Sequence, residues 1–303
     1  MRVTSATLRD FRNYAAAEVA LGPRLTVIAG PNAAGKTNLL EALYFGCTGR
    51  SPRTSNDREL VRREQKVARV TVATEDEQGA HLIEVGLEPG VEKALRVDGA
   101  PVDSLSAVTA RPLLSVFLPE RLELVKGAPS ARRAHLDSLV AAIWPARAEA
   151  RAAYSRALAQ RNALLSRIRA GAASRDSLAS WDRELAEQGA LLMAARTEAV
   201  ALLADPFAGR AEQLGLPDRP SLEYRPRSDA TDADGLAAAL AERHQADIDR
   251  GFTAHGPHRD DLRLAHGPGA LRNYGSQGQQ RVAVLALLFA ERDVLADQRA
   301  RLR

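Results

Sequence analysis

Residues 30–37 read Gly30-Pro31-Asn32-Ala33-Ala34-Gly35-Lys36-Thr37, which satisfies the pattern G-x-x-x-x-G-K-[ST] at every position. The pattern dictates local architecture before it dictates chemistry. Glycines at both ends let the backbone turn so that several N–H groups point inward at one anion. Lys36 adds a point charge for the outer phosphates, and Thr37 offers a hydroxyl to Mg²⁺. Such a loop needs a strand before it and a helix N-terminus after it. Residues 24–29 (RLTVIA) form a short β-branched, apolar run, and residues 38–45 (NLLEALYF) are apolar at helical spacing. The expected ligand is a nucleoside triphosphate with magnesium.

At 303 residues the chain is long enough for two lobes. No apolar run approaches the roughly 18 residues of a membrane span, and the N-terminus lacks a signal-peptide pattern, which points to a cytoplasmic protein. The single cysteine, Cys47, allows no disulfide framework and reads as buried filler. His255 and His258 are separated by Gly256-Pro257, which breaks a helical ligand pair, so no metal cluster is expected on the histidines. Positive charge is carried almost wholly by arginine and is unevenly spread. Residues 2–63 hold ten basic against five acidic side chains, and residues 120–175 hold eleven against four, leaving two basic regions able to face phosphate. A solvated surface in an arginine-rich chain accounts for the same counts, so charge alone leaves nucleic-acid binding open.

Residues 3–10 and 15–21 read as strands joined by Phe11-Arg12-Asn13-Tyr14, and Gly22-Pro23 turns into a third at 24–29. Residues 66–75, 81–87 and 94–97 alternate apolar and polar positions between turn-like segments, which predicts an antiparallel sheet. The apolar run 113–118 (LLSVFL), stopped by Pro119, reads as a strand buried on both faces beside the phosphate-loop strand. From Ser130 the chain turns to long helices, expected to break at Trp144-Pro145, Gly171-Ala172-Ala173 and Asp205-Pro206. Leu178, Trp181, Leu185, Gln188, Leu192, Ala195, Ala199 and Leu202 follow a heptad seam. Tyr154, Leu158, Leu165 and Ile168 mark an apolar edge on the preceding helix, and the two fit a short antiparallel hairpin. A strand at 221–224 and a helix over 236–251 follow.

Near the C-terminus the polar stretch 272–281 (RNYGSQGQQR) precedes an apolar helix over 282–295. Serine and glycine at a helix start make a second anion site from backbone N–H groups, a hydroxyl and the helix dipole. A plain N-cap by Ser276 with solvated glutamines fits the same residues.

The segments LRDFRNY (8–14), GPNAAGKTNLLEALYF (30–45), GRSPR (49–53), FLPERLELVKGAPSARRAHLD (117–137), GPHRDDL (256–262) and YGSQGQQR (274–281) occur in the order in which the RecF family carries them. The chain resembles that family along essentially its whole length. The resemblance implies an α/β fold of the ABC/SMC-type P-loop NTPase head, with a mixed sheet and an antiparallel β subdomain. A helical lobe with a short antiparallel hairpin would be inserted in it. The ATPase lobe would span 1–127 and return at 253–303 around a helical lobe at 128–252. It implies ATP and Mg²⁺ at Gly30, Pro31, Asn32, Ala33, Ala34, Gly35, Lys36, Thr37 and Asn38, with Thr37 on the metal. Ser276, Gln277, Gly278, Gln279 and Gln280 would contact the nucleotide held by a second copy. It further implies an ATP-dependent homodimer on DNA at single-strand gaps and duplex junctions, with RecR and RecO as partners in loading recombinase. For DNA, Arg50, Arg53, Arg132 and Arg133 are the candidate contacts.

The family pattern continues past the signature helix into a Walker B strand ending in paired acids, which these residues do not contain. Either the sequence is part of a longer product or it is a shortened protein, expected to hydrolyse ATP hardly at all. The string Leu287-Leu288-Phe289-Ala290-Glu291 reads as helix core, not as a substitute, and no glutamine lies between Arg111 and Gly127. The competing readings are a nuclease-associated SMC-like head, which needs a carboxylate-rich metal domain, a structural SMC clamp fragment, which needs far longer heptads, and an inactive remnant.

Overall fold

The computed structural model describes residues 1–301 except 106, 107, 109–111, 113, 115, 118, 219 and 268. Packing separates the chain into two compact units, Met1–Val116 and Phe117–Arg303.

Among its described residues the first unit is built on six strands, β1 (Arg2–Phe11), β2 (Tyr14–Ala20), β3 (Ala68–Asp76), β4 (Gly79–Leu87), β5 (Ala94–Val97) and β6 (Ala100–Pro101), in the order β2-β1-β3-β4-β5-β6. Every pairing is antiparallel, with Leu8 opposite Val70 and Val72 opposite Ile83. The period-two alternation of β3 turns Val70 and Val72 toward α1 (Lys36–Thr48), which lays Leu39, Ala42 and Phe45 on the sheet. Gly46 brings that helix close. A Cβ there would stand 2.4 Å from Val72 Cγ2 and 2.8 Å from Val70 Cγ1.

The segment 24–29 departs from its expected form. It forms no strand among the described residues, and Leu25 and Val27 are 79% and 77% exposed. An apolar run becomes a strand only where a neighbouring ladder takes up its N–H and C=O groups. The strand expected over 113–118 falls on residues 113, 115 and 118, which lie outside the described residues.

The second unit contains α2 (Glu123–Lys126), α3 (Pro129–Ile143), α4 (Ala148–Arg169), α5 (Leu178–Gln213), β7 (Ser221–Arg225), α6 (Ala233–Ala241), α7 (His244–Arg250), β8 (Asp261–His266), β9 (Gly269–Ala270), α8 (Leu271–Tyr274) and α9 (Gln277–Arg301). Its sheet is antiparallel in the order β7-β8-β9. The pair Arg147–Glu198, at the N-cap of α4, and the pair Arg161–Asp182 run in opposite directions along the two helices, so α4 and α5 form the antiparallel hairpin that their apolar spacing predicts. Leu178, Leu185, Leu192, Ala195 and Ala199 of the seam are buried.

Two breaks fall elsewhere than expected. Helix α5 continues through Pro206 to Gln213, because the ring costs one main-chain hydrogen bond while Phe207 and Ala211 beyond it are buried in the core. The helix expected over 236–251 divides into α6 and α7. The string 287–291 lies inside α9 as core, with Leu287 and Ala290 buried and Glu291 paired to His135. At the hairpin's heart the fully buried Arg161 donates to Asp182 Oδ1, Asp247 Oδ2 and Thr253 Oγ1, each at 2.7 Å, tying α4 to α5 and α7.

Substituting Gly46→Ala separates helix propensity from packing. Propensity alone favours the alanine by about 1 kcal/mol, whereas overpacking a closed core costs about 1–3 kcal/mol. Because both neighbouring valines are fully buried, we expect a net loss of about 1 kcal/mol in urea unfolding. A stabilised variant would show that β3 gives way.

Candidate nucleotide-binding site

The loop before α1 bends through three residues at positive φ, Gly30 (154°), Ala33 (67°) and Gly35 (101°). Gly35 is doubly required: its φ is left-handed, and a Cβ would lie 2.6 Å from Asn13 Nδ2. It ends the loop as the N-cap of α1, where no side chain caps the helix and no acid stands in the first turn. The first N–H groups of a 13-residue helix therefore remain unspent at its positive end. Lys36 Nζ donates to the carbonyls of Gly30 (2.8 Å) and Pro31 (2.7 Å), laying its charge along the loop with no carboxylate partner among the described residues. Pro31, Asn32, Ala33, Ala34 and Thr37 are exposed, and the Thr37 hydroxyl makes no hydrogen bond among the described residues. Turned backbone, helix end, ammonium and open hydroxyl together fit a triphosphate with a divalent cation.

A hydrogen-bonded ring holds this loop from behind. The Tyr14 hydroxyl donates to Gly35 O at 3.2 Å, and Asn38 Nδ2 donates to Asn13 Oδ1 at 2.8 Å. Beneath them lies Glu41, whose side chain is wholly buried. Arg12 binds it through both Nε and Nη2 at 2.8 Å, Ser51 Oγ donates at 2.6 Å, and Arg53 Nη1 donates at 3.0 Å. Burial pushes the Glu41 carboxyl up, but these hydrogen bonds and the two guanidinium charges outweigh it and hold it below the ordinary carboxylate range. The segments 8–14 and 49–53 thus converge on one carboxylate behind the phosphate loop. Residue-by-residue reading missed Glu41, Arg12 and Asn13. The available signal was an acid on the apolar side of a phosphate-loop helix, which burial obliges to find a cation.

The second anion site stands at the start of α9. Ser276 Oγ accepts from Gln279 N–H at 3.2 Å while Gln279 Oε1 accepts from Ser276 N–H at 2.7 Å, a reciprocal capping box. Gln277 and Gly278 are exposed. Gly278 needs no unusual φ, and a Cβ there would meet nothing nearer than 3.8 Å, so neither the helix nor its packing requires a glycine. Gln280 must be withdrawn from the anion contacts. Its side chain is buried, with Nε2 donating to Leu271 O (2.9 Å) and Gly275 O (3.0 Å), so both hydrogens of its only side-chain donor are used within the fold.

The four arginines proposed for DNA also divide. Arg50 is exposed, and Arg53 joins Glu41 and Asn38 Oδ1 behind the loop. Arg132 is withdrawn: it is 3% exposed and bound through Nε and Nη2 to both oxygens of Asp261 at 2.7 and 2.9 Å, so it serves the fold. Arg133, half-buried, donates to Asp260 O at 2.7 Å.

The GPHRDDL segment proves to be a clasp. Buried Asp260 accepts from the Tyr224 hydroxyl and from Arg227 N–H at 2.8 Å, with Arg196 Nη1 at 3.5 Å. His258 lies between the Tyr154 hydroxyl, 2.7 Å from Nδ1, and Thr253 O, 3.0 Å from Nε2, an arrangement suited to the neutral ring. Burial, reinforced by the charges of Arg259 and Arg133 against a hydrogen bond to Thr253, pushes the imidazole from 6.5 down to about 4. Stability from this neutral histidine is complete above pH 6.5 and lost as pH falls through about 4. We expect wild type to weaken between these values more steeply than His258→Gln in urea unfolding across pH. Equal slopes would remove His258 from the account.

A family model described as an AAA domain matches residues 5–105. The DNA replication and repair protein RecF of Streptomyces avermitilis is 39% identical over 314 residues, covering 97% of this chain and 83% of that protein. That of Chloroflexus aurantiacus is 38% identical over 324 residues, covering 96% and 81%. Among solved structures, the recombination mediator protein RecF-ATPrS in the RecFOR pathway matches with a TM-score of 0.83 at 27% identity, over 99% of this chain and 82% of that one. An SMC head bound to the C-winged helix domain of ScpA matches with a TM-score of 0.53 at 16% identity, over 96% and 76%, which shows a shared fold. The chain has the fold of ABC/SMC-type ATPase heads.

Proposed function

The chain belongs to the RecF family of DNA replication and repair proteins, and on that basis we propose that it is an ATP-controlled DNA-binding protein of recombinational repair. The observation that carries this reading is the loop of residues 30–37, ending in an uncapped helix with Lys36 free of any carboxylate among the described residues. Binding a triphosphate would exchange the carbonyls of Gly30 and Pro31 around Lys36 for phosphate oxygens. Gly35 and the first turn of α1 supply N–H donors, and Asn38 is braced by Asn13 and Arg53. Thr37 would hold Mg²⁺, which would supply positive charge against the phosphates.

Nucleotide binding then acts as a signal for pairing. Ser276, Gln277, Gly278 and Gln279 of one copy would face the nucleotide of another, so that each ATP is enclosed only when two chains meet. The bare glycine at 278 supports this role, since the chain's own geometry gives no reason for it. The dimer would form on DNA at single-strand gaps and duplex junctions and help load recombinase with RecR and RecO. In this reading the ATPase lobe comprises 1–127 and 253–303 and the helical lobe 128–252.

We expect Lys36→Met to weaken ATP binding at least about tenfold in titration calorimetry, since it removes the charge aimed at the phosphates. Ser276→Arg should leave ATP affinity within about twofold, lose about 1 kcal/mol of stability with its cap, and abolish the ATP-dependent rise in mass seen by light scattering. If Ser276→Arg gained mass with ATP as wild type does, the role of the α9 terminus toward a second copy would be wrong.

A further inference from the structure

The clasp at Asp260 and Asp261 leaves one face of the second unit unexplained. Beside it opens a cavity of about 520 Å³ whose walls, among the described residues, carry six arginines, at positions 132, 225, 227, 259, 263 and 272, against one carboxylate, that of Asp261. That carboxylate is already engaged by Arg132 on both oxygens. Arg225 leans on Glu223 at 2.6 Å, and Arg259 lies over the Phe252 ring at 5.8 Å. Arg227 and Arg272 are exposed, and their guanidinium groups make no hydrogen bond or ion pair among the described residues. Like charges are thus gathered around one opening beyond what the fold uses. Gathered there they repel one another, a cost that a polyanion would offset.

We propose that this groove seats the phosphate backbone of duplex nucleic acid. Three observations select that ligand. No aromatic side chain lines the groove among the described residues, so it offers no platform on which unpaired bases would stack. Its floor, Leu124, Val125, Leu262 and Leu264, is at most 5% exposed, which denies an acidic peptide the apolar anchor that tight peptide docking uses. What remains is planar, fork-shaped donors at several points on one concave surface, the chemistry that phosphodiester oxygens take up without regard to sequence.

The clasp explains why the arginines are in place before a ligand comes. Asp260 accepts the N–H of Arg227, fixing the turn after β7, while Asp261 locks Arg132 to the first residue of β8. In GPHRDDL Asp260 is buried as an anchor, Asp261 holds Arg132 at the groove wall, and Arg259 is exposed as a contact. The motif that the nucleotide site leaves unused is therefore the hinge pin of an anion-binding wall.

The proposal rests on the reading of the chain as a DNA-binding protein, and the test separates the two. Fluorescence anisotropy of a blunt 30-base-pair duplex is measured against the full chain with ATP over a range of KCl concentrations, for wild type, the double variant Arg227→Ala/Arg272→Ala, and its lysine counterpart. Each phosphate contact contributes about −0.9 to the slope of log affinity on log salt. The alanine pair should therefore flatten that slope by about 2 and weaken binding about tenfold or more near 100 mM salt. The lysine pair should keep most of the slope. ATP affinity and the unfolding midpoint should not change, because neither side chain holds the fold. A wild-type slope and affinity in the alanine pair would overturn the groove and leave the DNA-binding reading standing. Absence of duplex binding by wild type, with and without ATP, would overturn both. If the alanine pair lost binding to a polyglutamate peptide while keeping duplex affinity, the groove would belong to an acidic protein and the proposal would fall.

Discussion

One buried carboxylate organises the nucleotide end of this protein. Glu41 sits in the second turn of α1 with no solvent around it, so its charge is tolerable only while cations stay beside it. Arg12 from the β1–β2 turn and Arg53 from beyond α1 answer that need, and Ser51 takes a remaining lone pair. Two stretches, one before α1 and one after it in the chain, are thereby held to one helix turn. The phosphate loop rests on the same assembly through Asn38, Asn13 and Tyr14. Losing both arginines would therefore strand a charge and loosen a loop together.

Much of the fold was legible because its signals are local. Alternation along 66–75 and 81–87 is a direct imprint of half-buried antiparallel strands, and the heptad spacing from Leu178 needs only one neighbouring helix to be satisfied. The phosphate loop was legible because backbone geometry restricts which residues can build it. Features that depend on distant partners were not. Residues 24–29 have strand composition, yet composition cannot supply a pairing ladder. Pro206 reads as a break until the burial of Phe207 is known. Gln280 looks like its neighbour Gln279, but one helix position turns it from the rim into the core.

Arginine shows the same limit more sharply. Nothing in the local sequence separates Arg132, which is spent on Asp261, from Arg227, which is spent on nothing among the described residues. The same guanidinium serves as a buried structural fork at 161 and 196 and as a surface charge at 50 and 272. Counting basic residues over 120–175 therefore overstated what that region offers outward, because its most regular ion pairs point into the fold. The useful quantity is the number of arginines left after the carboxylates have chosen theirs.

Lys36 carries a consequence for selectivity. Its ammonium is satisfied by two carbonyl oxygens of its own loop, so an incoming anion competes with the protein for that charge. A small monoanion gains little by displacing two good hydrogen bonds, whereas a triphosphate brings several negative oxygens and the helix amides at once. The loop thereby favours a polyphosphate over a lone monoanion, and it keeps its shape by lending its lysine to itself.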